Sequence, residues 1–150
     1  MMEILTKFSE EQMEFFVKDD PVRPHLSSEF RTTYNSEVYA IVDEEQVNAI
    51  ICIAHLRKVP HTEEELTSNA KEGDEHVISP YTVWSYNPGA GRRIVNKLID
   101  MVKEANKHKD VKPRIVTLSP KTRMAEKFHL SNGATFLSEN ENTNNFEYEV

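Results

Sequence analysis

Between Val83 and Val102 the chain reads VWSYNPGAGRRIVNKLIDMV. Four strand-forming residues meet the corner Asn87-Pro88-Gly89-Ala90-Gly91-Arg92-Arg93, and apolar residues at helical spacing follow. Ile94, Leu98, Met101 and Ala105 recur at the period of one helix face. RIVTLS, from Arg114 to Ser119, then reads as a short buried strand. A strand, a helix and a second strand joined in this way pair their strands in parallel, with a right-handed crossover. This unit, residues 77–119, therefore demands a sheet with a parallel pair and a helix packed against it.

The flanking sequence supplies antiparallel partners. EVYAIVDEEQVNAIICIAHLRKV reads as two strands joined by the polar turn Asp43–Gln46, the second strand central and covered on both faces. In VISPYTVWSY, Pro80 predicts a bulge or an unpaired edge. ATFLS and FEYEV are strands around the polar loop ENENTNN. An exposed edge at NNFEYEV could pair two chains as a homodimer. Ser9 and Gln12 form a capping box for a helix, with Phe8 and Met13 as its staple. Pro21 and Pro24 break the next stretch into loop or short irregular helix. A short helix is expected near Glu63–Ala70, its EEE run at 63–65 being a solvated face. In PKTRMAEKFHLSNGA a helix is expected with Ser119 as cap, Pro120 at its first position and Gly133 past its end. Met124 and Phe128, four apart, are expected to pack that helix on the sheet. No linker or repeat divides the chain, so residues 1–150 read as one α/β (α+β) domain with a mixed sheet.

Composition narrows the function. A net charge of −7 disfavours a general nucleic-acid binder. The single cysteine, Cys52, lies in an apolar strand; it forms no disulfide within the chain and is poorly placed for thiolate chemistry. The start lacks a signal pattern and no apolar run has membrane-spanning length, so a cytoplasmic protein without a membrane partner is expected. His25, His55, His61, His76, His108 and His129 show no metal-ligand spacing, and no metal is expected.

The corner carries the chemistry. A helix opening at glycines presents unpaired N–H groups and the positive end of its dipole. Gly89 and Gly91 let a ligand approach the main chain, and Arg92 and Arg93 add donors suited to phosphate. Neither G-K-[ST] nor the third glycine of G-x-G-x-x-G is present, Ile94 occupying that place. A phosphate or pyrophosphate ligand is expected.

YNPGAGRRIVNKLIDMV, followed by IVTLSPKTRMAEKFHLSNGA, resembles the GNAT N-acetyltransferase superfamily. Tyr86 to Gly91 occupy the frame of its R/Q-x-x-G-x-G/A signature, and Ala125 to Ala134 that of A-x-x-[FL]-Y-x-x-x-G-[FA]. The resemblance covers residues 37–150 in element order. It implies a mixed, mostly antiparallel sheet with a central parallel pair and helices on both faces. It also implies transfer of an acetyl group from acetyl-CoA (coenzyme A) to a small-molecule or peptide amine by direct attack. The pyrophosphate would rest on the N–H groups of Gly89, Ala90, Gly91 and Arg92, Pro88 having none to offer. Arg92 or Arg93 would make up for Tyr86 standing where the family has Arg or Gln. The pantetheine arm would lie along Trp84, Ser85 and Tyr86, where the central strands splay, with N–H groups there polarising the carbonyl. Trp84 is either core packing or a wall of that channel. His129 stands where the family has a thiolate-protonating tyrosine, and would act as an imidazolium acid or hold the sulfur by a hydrogen bond. The candidate bases are Glu75, His76, Tyr81 and His55. Segments 21–34 and 139–145 would set acceptor specificity. The alternative is a CoA-binding module of this fold whose catalysis is lost or altered.

Overall fold

The computed structural model describes residues 3–33, 35–69 and 76–150. At its centre β2 (Ser36–Asp43) and β3 (Gln46–Leu56) form a hairpin, with β4 (Val77–Ser85) on the far side of β3. The hairpin turns through Glu44 and Glu45, at φ 47° and 69°. β3 is buried from Asn48 to Ala54 because both of its faces are covered. Ile50, Cys52, Ala54 and Leu56 enter one apolar layer, and Ala49, Ile51 and Ile53 the other. Met13 of α1 (Glu10–Glu14), Phe30 of α2 (Ser28–Thr32) and Leu66 of α3 (Glu63–Asn69) close the first layer. Ile94, Val95, Leu98 and Val102 of α4 (Ala90–Asn106) close the second. Helices thus cover both faces of a mixed sheet.

β4 is also the parallel partner of β5 (Arg114–Val116), through the pairs Val77 with Arg114 and Ile78 with Ile115. β5 and β6 (Ser119–Pro120) run in one line along β8 (Thr143–Tyr148), and β7 (Thr135–Glu139) pairs with β8 as well. β8 is therefore interior, and the C-terminal edge expected to join two chains is already occupied. The outer strand there is β7.

The capping box forms as expected: Gln12 N–H donates to Ser9 Oγ at 3.2 Å, and Ser9 N–H to Gln12 Oε1 at 2.9 Å. β1 (Ile4–Phe8), antiparallel to β2, is an addition to the sequence reading, since only Ile4, Leu5 and Phe8 mark it. α3 is described over Glu63–Asn69, and the expected boundary at Ala70 lies outside the described residues. α5 (Arg123–Ser131) is capped by Thr122, whose Oγ1 accepts from Ala125 N–H at 3.1 Å. Ser119 and Pro120 are instead drawn into β6 by pairing with Asn144 and Thr143. Gly133 follows the helix at φ 99°, a backbone that suits glycine. Phe128 packs on the sheet, whereas Met124 is 82% exposed.

Candidate functional site

The site begins with a defect in β4. Cys52 faces Thr82 but Ile53 faces Pro80, so Tyr81 is an extra residue, a bulge beside the proline. A bulge bends its strand, and Pro80 has no N–H with which to hold a ladder. Beyond Ile78, β4 has no partner on β5, and the two strands diverge. Tyr86 N–H donates to Asn48 O at 2.8 Å. Pairing alternates along an antiparallel ladder, so Trp84 also faces β3 while Val83 and Ser85 turn N–H and C=O into the fork. The open backbone groups thus belong to Val83 and Ser85, and the expected donor at Tyr86 is already used.

Arg23 holds the base of the fork. Its Nη1 donates to Tyr81 O, its Nη2 to Leu118 O at 2.9 Å and its Nε to Glu63 Oε1 at 3.1 Å. One buried guanidinium therefore satisfies a carbonyl from each diverging strand line. Burial pulls Arg23 below its ordinary range, and Glu63 and Asp20 pull it back. Burial would raise Asp20, but the N–H groups of Arg23 and Val22 and the Arg31 guanidinium hold it below the usual carboxylate range. Asp20 also accepts from Thr82 Oγ1 at 3.0 Å, which ties the loop to β4. The sequence reading missed this cluster; its one legible hint is an arginine enclosed by Pro21 and Pro24.

A cavity of about 630 Å³ fills the fork, bounded by Val83, Ser85, Gly91, Pro120, Phe128 and His129 among others. α4 opens beside it. Gly89, at φ 78°, takes the left-handed conformation that turns the chain into the helix. Ala90 N–H donates to Asn87 O and Arg93 N–H to Gly89 O, both at 3.2 Å. The N–H groups of Gly91 and Arg92 have no acceptor among the described residues, and they share the positive end of the dipole. A Cβ on Gly91 would stand 3.2 Å from Phe128 Cε1, so glycine lets α4 and α5 meet there.

The expected site residues fall into two groups. Ser85, Trp84, Gly91 and His129 border the cavity. Ala90 is buried against the sheet, and the Arg92 side chain is exposed with no partner among the described residues. Arg93 is engaged elsewhere: Nε and Nη2 donate to Glu3 at 2.9 and 3.1 Å, docking the chain start onto α4. That bond lowers Glu3 and raises Arg93 from their ordinary values. Tyr86 also turns away. Its hydroxyl accepts from Trp84 Nε1 at 2.9 Å and donates to Asp19 at 2.7 Å, and burial pushes it up to about 12.

His129 is 7% exposed, with Nδ1 2.7 Å from the Tyr148 hydroxyl. Burial pushes it down to about 4, so it is neutral at pH 7 and the imidazolium reading loses its acid. Of the candidate bases, His55 is bound to Glu37 at 2.7 Å and does not border the cavity. His76 is exposed ahead of β4, and Glu75 lies outside the described residues. Tyr81 borders the cavity, but burial raises its hydroxyl well above its ordinary value and keeps it a phenol. Pro21 and Val22 of the first specificity segment reach the cavity. Segment 139–145 does not: Thr143 Oγ1 donates to His61 O at 2.7 Å and Asn145 Nδ2 to Pro60 O at 2.8 Å. Among the described residues no group of three His, Cys, Asp or Glu could hold a metal ion, and no helix is long and apolar enough to cross a membrane.

No family model and no curated protein matches the sequence. Solved structures do match. A PaiA N-acetyltransferase from Thermoplasma acidophilum in complex with coenzyme A is 9% identical over 100% of both chains, with a TM-score of 0.69. The GNAT domain of S. lividans PAT is 10% identical over 99% of this chain and 90% of that one, at 0.65. Malonyl-CoA decarboxylase from Agrobacterium vitis is 13% identical over 84% of this chain, at 0.63, and this chain spans 35% of its length. The mixed sheet with its parallel pair and its helices agrees with these matches: the chain has the GNAT acetyltransferase fold.

Proposed function

We propose that the protein is an N-acetyltransferase using acetyl-CoA and an amine acceptor, either a small molecule or a peptide. The observation that carries this reading is the fork, which leaves the backbone of Val83 and Ser85 open to a cavity bordered by Gly91 at the start of α4, where the N–H groups of Gly91 and Arg92 have no acceptor among the described residues. Those features fit coenzyme A. The open edge of β4 suits the amides of a pantetheine arm as an added strand would. The N–H pair of α4, with the Arg92 side chain that has no partner among the described residues, suits a pyrophosphate. Coenzyme A bound to the Thermoplasma protein of the same fold supports the same ligand here.

Acetyl-CoA would supply the acyl group as a thioester. The amine nitrogen bonds to the carbonyl carbon as the C–S bond breaks, without an acyl-enzyme, and the surplus amine proton passes to water. Backbone N–H in the fork stabilises the charge developing on the carbonyl oxygen. Neutral His129 is too weak an acid to protonate the thiolate, but a ring N–H can hold the sulfur by a hydrogen bond.

Titration calorimetry with acetyl-CoA, coenzyme A and ATP, beside a broad amine-acetylation screen, tests the reading. Acetyl-CoA should bind and ATP should not displace it. ATP-selective binding ends the proposal, and acetyl-CoA binding without turnover on any amine leaves a CoA-binding module. Arg92→Glu breaks no contact among the described residues. It should weaken coenzyme A by tenfold or more, since a charge-assisted hydrogen bond contributes about 1.5–3 kcal/mol.

A further inference from the structure

Tyr148 has no part in the acyl-transfer reading, yet its hydroxyl lies 2.7 Å from His129 Nδ1, and the residue is only 3% exposed. The imidazole has little freedom to turn. It stacks on Phe146 with centroids 5.3 Å apart at 27°, and meets Phe128 and Tyr148 edge-on at 5.2 and 5.8 Å. A neutral imidazole carries one proton, and the partner of one nitrogen decides the state of the other. The Tyr148 hydroxyl has one hydrogen to give; the Asn132 side-chain amide faces its oxygen as a donor, and His129 Nδ1 is the acceptor bonded to it among the described residues. With a proton on Nδ1, that hydroxyl hydrogen would be buried without a partner. With Nδ1 bare, both groups are satisfied and the proton sits on Nε2. Nε2 has no partner among the described residues, and His129 borders the cavity.

We propose that Tyr148 is a positioning residue: its hydroxyl donates to His129 Nδ1 and fixes the Nε2–H tautomer, which offers one hydrogen-bond donor to the sulfur of bound coenzyme A. The sulfur contact rests on the acyl-CoA reading of the cleft; the tautomer does not. No proton is transferred from Nε2, which bonds to the sulfur while keeping its hydrogen. The Tyr148 and His129 side chains come from β8 and α5, so the donor is built only when those elements dock.

Two-bond proton–nitrogen spectra of protein carrying isotope-labelled histidine read the tautomer without any ligand. His129 should be Nε2–H in the free protein. Coenzyme A should move its Nε2–H resonance, and desulfo-coenzyme A, which lacks the sulfur, should leave it near the free position. Tyr148→Phe keeps the ring and its packing. It should mix the two tautomers and lower kcat about tenfold, which is about 1.4 kcal/mol of barrier, with the KM for acetyl-CoA little changed. An Nδ1–H tautomer in the wild type, or an unaltered tautomer in Tyr148→Phe, overturns the positioning role. Equal shifts with both coenzymes overturn the sulfur contact. Failure of coenzyme A to bind at all overturns the reading of the cleft and is seen separately, because the tautomer is read in the free protein.

Discussion

Gly91 and Phe128 contest one space at the wall of the cavity. Gly91→Ala adds about 1 kcal/mol of helix propensity and sets a methyl 3.2 Å from the Phe128 ring. That ring is only partly buried and borders the cavity, so it can yield towards the open side. Urea unfolding should find the variant within about 1 kcal/mol of wild type, because propensity and crowding offset each other. Calorimetry should find coenzyme A weakened by roughly tenfold, or about 1.4 kcal/mol, as the ring enters its space. His129 gives a second test at this scale. Its pKa falls from 6.5 in the unfolded chain to about 4 in the fold, through burial. Between those values the unfolded chain takes up a proton that the folded chain refuses. The contribution of His129 is therefore fully present above pH 6.5 and is lost as pH falls to about 4, up to roughly 3 kcal/mol. Unfolding free energies measured across that window should fall more steeply for wild type than for His129→Phe.

At the scale of elements, the fork depends on β4 leaving β5 without stranding its backbone. The bulge was legible, since Pro80 within an apolar strand run cannot complete a central ladder. The device that stabilises the divergence was not legible. Arg23→Met keeps much of the side-chain volume and removes donors from two buried carbonyls, Tyr81 O and Leu118 O, while leaving Glu63 without its guanidinium. Unpartnered buried carbonyls of this kind cost about 1–3 kcal/mol each, so urea unfolding should show a loss of at least about 2 kcal/mol. Arg23→Lys, whose ammonium cannot span both strands as a planar fork does, should recover only part of it. The register of β6 shows the same limit on local reading. Ser119-Pro120 has the form of a helix start, yet β8 offers Asn144 and Thr143 as pairing partners, and Thr122 takes over the cap.

At the scale of the whole molecule, one ligand should tie the sheet to both helices of the second layer, because the cavity is bounded by β4, by Gly91 of α4 and by Phe128 of α5. A ligand that binds only the folded chain stabilises it by mass action, by about 2.7 kcal/mol at a hundredfold excess over Kd. Thermal unfolding with coenzyme A should therefore show a rising Tm, and Arg92→Glu should lose most of that rise at the same concentration. What the sequence by itself determined lies within a few residues of itself: the period of α4, the β2–β3 hairpin, the capping box at Ser9 and the glycine corner ahead of α4. Each is set by hydrogen bonds and side-chain spacing over one turn or one pleat, and such patterns leave a trace in the order of residues. What only the tertiary structure decided spans the chain. Arg23 reaches Tyr81 and Leu118 across 58 and 95 positions, Arg93 reaches Glu3 across 90, and His129 meets Tyr148 across 19. The contact with Glu3 engages Arg93 away from the phosphate role expected of it, and burial keeps His129 neutral at pH 7. Partnership and desolvation of a charged or polar side chain depend on what the fold brings beside it, and no local period records that.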